Sequence, residues 1–103
     1  MAGLVTHWER RDGADREALG QAAFALCRAT RQVDGVKSSR FFWTGPDQVV
    51  ILSEANAMAD FDQASKPDQA EAIFALSDLA RATATERWID PRDGTEAYRV
   101  AGR

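Results

Sequence analysis

The chain has 103 residues, 45% of them hydrophobic and 28% charged, which fits one globular domain (residues 1–103) and argues against disorder. A net charge of −3 and a pI near 5.1 leave no basic footprint for nucleic acid, and the longest basic cluster, Arg10-Arg11, is followed at once by Asp12. Cys27 is the only cysteine, so no disulfide forms within one chain, and no apolar run approaches the ~20 residues of a membrane span.

Gly3–Glu9 alternates as a strand, with Leu4, Thr6 and Trp8 on one face and Val5, His7 and Glu9 on the other. The N-terminus lacks a basic region and runs straight into this strand, so a signal peptide is not expected and a cytoplasmic location is the default. Arg11-Asp12-Gly13 is turn chemistry. A helix follows from Asp15, a natural N-cap, to about Val33. Leu19, Ala22, Ala23, Leu26, Thr30 and Val33 form its apolar stripe, which Phe24 and Cys27 widen. Cys27 therefore reads as a small core residue, not a nucleophile. Gly35 supplies the stop.

Val36–Thr44 and Val49–Glu54 are strands joined by the turn Gly45-Pro46-Asp47-Gln48, which makes them an antiparallel hairpin. Asn56–Gln63 reads as a short helix capped by Asn56 and anchored by Met58 and Phe61. Ser65-Lys66-Pro67 breaks it. Pro67 and Asp68 open a further helix to about Thr83, burying Ala70, Ile73, Phe74, Leu76, Ala80 and Thr83. Thr85–Asp90 is a fourth strand, stopped by Pro91, and residues 91–103 read as a C-terminal arm whose one aromatic is Tyr98. The order β-α-β-β-α-β is the α+β, ferredoxin-like arrangement, with a four-stranded antiparallel sheet carrying both helices on one face.

In an isolated subunit the other sheet face should be polar. Here Val49 and Ile51 point one way and Val50 and Leu52 the other; Phe41 and Trp43 oppose Phe42; Trp88 opposes Ile89. Each large ring buries roughly 150–250 Å², so several of them on an open face mark an interface or a ligand groove. Two apolar faces predict a homodimer.

With that element order, about 100 residues, two apolar faces and a trailing arm, the chain resembles the dimeric α/β-barrel superfamily through Asp90. The resemblance implies two ferredoxin-like subunits packed sheet against sheet around a central barrel. It brings a range of activities: cofactor-independent monooxygenases, haem-degrading enzymes, polyketide cyclases, lactone isomerases and non-enzymatic ligand sensors. The second helix lacks the histidine that haem-degrading relatives use as axial ligand, which sets that activity aside.

His7 is the only histidine. If Trp8 packs under the helices, His7 faces the barrel interior, where it suits acid/base work near neutral pH or hydrogen bonding within an interface. Arg40 and Arg87 lie on strands among aromatics and could stabilise a carboxylate or enolate, or pair structurally with Glu54 or Glu86. Phe42, Trp43, Met58, Phe61 and Trp88 could line an apolar substrate pocket or serve as plain core, and the break between Phe61 and Pro67 could act as a lid. The residue types supply no phosphate loop and no nucleophile elbow, and one His with one Cys supplies no metal site. Neither a metal nor another cofactor is expected. Arg40-Phe41-Phe42-Trp43 only faintly echoes an RNA-binding sheet, and nucleic acid and membrane are not expected partners. Two functions stay open: a homodimeric barrel that binds a small apolar or aromatic molecule as a cofactor-independent monooxygenase, cyclase or isomerase, and a non-catalytic binding or assembly module of the same fold.

Overall fold

The computed structural model describes residues 1–62 and 66–93. Strand β1 (Ala2–Arg10) leads into helix α1 (Arg16–Thr30), the hairpin β2 (Val36–Gly45) and β3 (Gln48–Ala55), a 3₁₀ segment (Met58–Asp62), helix α2 (Pro67–Leu79) and strand β4 (Ala80–Ile89). The sheet order is β2-β3-β1-β4 and every neighbouring pair is antiparallel. This is the expected ferredoxin-like order. The arm expected over residues 91–103 lies outside the described residues beyond a 3₁₀ turn at Pro91–Asp93.

Each element follows from local chemistry. Asp15 caps α1 by accepting from the Ala18 amide at 3.2 Å. Pro67 opens α2 in its first turn. Gly35 takes a positive φ of 88° in the link from α1 to β2, and an added Cβ would overlap the Asp60 carboxyl. That carboxyl accepts from the Ala57 amide at 3.0 Å and so starts the 3₁₀ segment; Asp60 does the capping expected of Asn56.

The core lies between the helices and one sheet face. Leu19, Ala23, Leu26 and Cys27 of α1 and Ala72 and Leu76 of α2 pack on Val49, Ile51 and Ala80, with Trp8 and Phe41 partly buried against them. Three expectations are corrected. Helix α2 ends at Leu79 instead of Thr83, and β4 begins at Ala80. Pairing from Thr85 alone would leave His7–Arg10 of β1 without backbone partners on that edge, and extending β4 to Ala80 satisfies them. Ala80 is buried as expected but from a strand, whereas Thr83 is an exposed bulge residue whose hydroxyl donates to the His7 carbonyl at 3.3 Å. Phe24 and Phe74 are 52% and 73% exposed, because they project from the outer sides of the helices, away from the sheet.

Candidate functional site

Register assigns every strand side chain to a face. Trp8 packs on the helix core, so Leu4, Thr6 and Trp8 face the helices and Gly3, Val5, His7 and Glu9 face away. Three cross-strand rows then run over the open face. Ser38, Glu54, Gly3 and Trp88 form the first; Arg40, Leu52, Val5 and Glu86 the second; Phe42, Val50, His7 and Ala84 the third. Of the neighbours Glu86 and Arg87 in β4, Glu86 stands on this face and Arg87 on the helix side.

The polar centre of the open face is a chain of three side chains. His7 Nε2 lies 2.6 Å from Glu86 Oε2, and the Trp88 indole donates to Glu86 Oε1 at 3.3 Å. The His7 ring and then the indole hold the Glu86 carboxyl below its ordinary pKa. Trp88 lies against Gly3 of β1, where an added Cβ would meet Trp88 Cβ at an ordinary contact distance of 3.5 Å. Leu52, Glu54, Trp88 and Pro91 border a groove of about 350 Å³ at this end. Arg40 stands over the Phe42 ring, 6.0 Å from its centroid.

The remaining sequence candidates lie on the helix side, so the structure does not bring all eight together. Arg87 pairs with Asp62 of the 3₁₀ segment at 3.5 Å. Trp43 lies against α1, under the Arg16 guanidinium at 4.3 Å and beside Gly20. Met58 is buried, and Phe61 lines a cavity of about 180 Å³ between sheet and helices. The lid expected around Ser65 falls partly outside the described residues; Lys66 donates to the Gln32 carbonyl at 3.1 Å.

That cavity was not legible in the sequence. Its walls come from β1, α1, β2, β3, α2 and the 3₁₀ segment: Leu4, Trp8, Leu26, Val36, Ile51 and Ile73 supply apolar surface, and Thr6, Thr30, Ser53, Asp60 and Gln69 supply polar groups. The Thr6 hydroxyl accepts from the Trp8 indole at 3.1 Å and keeps its own proton to donate. Thr30 donates to the Leu26 carbonyl at 2.7 Å and Ser53 bonds Ser39 at 2.9 Å, so these walls are pre-organised. Arg87 shares a row with Leu4 and Ser53 but does not itself line the cavity. Cys27 lies nearby but buried; burial raises its pKa, which fits a core thiol.

No protein-family model and no curated protein matches this sequence. Solved structures do match. SnoaB from Streptomyces nogalater, a cofactor-independent oxygenase, is 10% identical with a TM-score of 0.75 over 86% of this chain and 91% of its own. A candidate antibiotic biosynthesis monooxygenase from Chloroflexus aurantiacus is 17% identical with a TM-score of 0.71 over 86% and 91%. A dimeric protein of unknown function and ferredoxin-like fold from Bacteroides fragilis is 13% identical with a TM-score of 0.67 over 86% and 95%. Strand order, register and these matches agree, and the chain has the ferredoxin-like fold.

Proposed function

We propose that the protein is a homodimer joined through the open face of its sheet, and that each subunit binds a small apolar or aromatic molecule in the cavity between sheet and helices. The observation that carries the ligand reading is that cavity: about 180 Å³, mainly apolar, with a few polar groups converging from five elements. An apolar cavity of about 150 Å³ accepts a benzene-sized ligand, so one aromatic ring fits, with further substituents reaching the rim. The Arg87 guanidinium, paired with Asp62, suits an anionic oxygen of a phenolate or enolate that takes the place of that carboxylate. The likeness to SnoaB supports cofactor-independent oxygenation as the activity. In such chemistry an electron-rich anion reacts with dioxygen directly, and the protein's part is to hold the anion and exclude water.

A second reading puts the small molecule between the two open faces of the dimer. It rests on the 2.6 Å contact of His7 with Glu86, which orients the imidazole as an acid/base beside Phe42 and Trp88, with Arg40 near an anion. The non-catalytic binding module is the third outcome.

One titration separates the three. Hydroxyaromatic compounds of one to three rings are added to isotope-labelled protein, and dioxygen uptake is recorded in parallel. The cavity reading expects shifts at Trp8 and Ile73 that the cavity-filling Ile73→Phe variant abolishes, with uptake if the protein is an oxygenase and none if it is a binding module. Shifts confined to His7 and Trp88 support the barrel reading. No shifts at millimolar ligand would sink the small-molecule reading altogether.

A further inference from the structure

The three rows of the open face have a property that none of their residues has singly: each is complementary to its own reverse. Read from β2 to β4, the middle row is Arg40, Leu52, Val5, Glu86. A two-fold axis lying between two such sheets and parallel to the strands lays this row on its reverse. Arg40 then meets Glu86 of the second copy, and Leu52 meets Val5. The row Phe42, Val50, His7, Ala84 sets the largest side chain over the smallest, Phe42 over Ala84, with Val50 over His7. The row Ser38, Glu54, Gly3, Trp88 sets Trp88 over Ser38 and Glu54 over Gly3. An axis perpendicular to the strands would instead keep each strand over itself, with β2 on β2 and β4 on β4. It would place the edge-strand charges of each copy beside like charges.

We infer that a second copy of this chain docks on the open face with its two-fold axis parallel to the strands, fixed by two reciprocal ion pairs between Arg40 of one subunit and Glu86 of the other. The inference rests on the dimer reading above and adds its register. Arg40 is exposed and, among the described residues, has the Phe42 ring but no carboxylate against it. Glu86 is already held by His7 and Trp88, so its carboxylate is oriented before the second copy arrives. Two sheets pack about 10 Å apart, a gap that an arginine and a glutamate on facing strands span. Aligned sheets cross at about 30°, which displaces edge strands some 7 Å from the axis by about 4 Å, within reach of the arginine stem. Unlike the Arg81–Glu9 pair at 3.0 Å, which is closed within one subunit, Arg40 has its partner only in the assembly.

The test uses charge reversal in the full chain, read by sedimentation and native mass spectrometry. Arg40→Glu alone puts two Glu–Glu contacts in the homodimer, and Glu86→Arg alone puts two Arg–Arg contacts there. Each is expected to raise the dimer dissociation constant at least 10-fold. The double variant R40E/E86R restores the homodimer. Mixing the two single variants gives a heterodimer, because both contacts then join opposite charges. Helical content by circular dichroism controls for folding, and both sites are exposed. A wild-type chain that stays monomeric at tens of micromolar overturns the dimer reading and this inference with it. A wild-type dimer that the single reversals leave as tight, or single variants that weaken it but form no heterodimer on mixing, overturns the Arg40–Glu86 register and leaves the dimer reading standing.

Discussion

Glu86 shows how much one position on a strand can decide. Its neighbour Arg87 has the longer reach and the more conspicuous charge, yet register turns Arg87 to the helices and Glu86 to His7. The contact has a pH signature. The folded Glu86 carboxyl titrates below its ordinary value, so its contribution to stability is complete at neutral pH and is lost as pH falls through that lowered value. A carbon-detected titration should find the Glu86 midpoint below the ordinary 4.3 or so of a glutamate, and His7→Ala should move it upward, because hydrogen bonding to His7 is the largest cause of the shift. An unchanged midpoint in that variant would contradict the pairing. Parity alone sets His7 opposite Trp8 and Phe42 opposite Trp43, since side chains alternate with period two, and the packing of Trp8 on the helix core decides which of them face away. Whether Arg87 or Glu86 joined His7 was not legible in the sequence, because a single bulge reverses parity and strand four carries one at Thr83.

The order of elements agrees with the sequence; the differences are at the ends of helices and strands and in the segment after β3, which is 3₁₀ over Met58–Asp62. Ala80-Arg81-Ala82 favours helix by residue type, in line with the helix expected to about Thr83. The unpaired edge of β1 outweighed that preference, and the same residues became the start of β4. The short link between α1 and β2 depends on Gly35 for two reasons, its positive φ and the close Asp60 carboxyl. Gly35→Ala should therefore destabilise the fold by about 2 kcal/mol or more, combining left-handed strain with a displaced 3₁₀ segment. Denaturant unfolding measures this. A loss under about 0.5 kcal/mol would mean that the segment moves aside freely.

At the scale of the molecule the open face decides behaviour. Phe42 and Trp88 are about half exposed in the single subunit, with Leu52 and Val50 between them only partly covered. Apolar surface of that extent is stabilised by a partner. Since a partner that binds only the folded chain adds stability by mass action, the thermal midpoint should rise with protein concentration. A midpoint that stays flat over a 100-fold range would remove the dimer as a source of stability. The face is not purely adhesive either. His7, Arg40, Glu54 and Glu86 interrupt the apolar residues, and each polar group covered by a second copy must find a partner.

The sequence by itself determined the order of elements, the two apolar faces and that His7 opposes Trp8, because helix and strand periodicities are local and survive without the fold. Tertiary structure alone decided where α2 gives way to β4, which charged residue joins His7, and that a cavity exists between sheet and helices. Those outcomes depend on groups far apart in the chain: Arg10 with Ala80, His7 with Glu86, and Thr6 with Gln69. The two-sided apolar sheet was plain from alternation. Its self-complementary rows needed the register of all four strands, which only the paired backbone fixes.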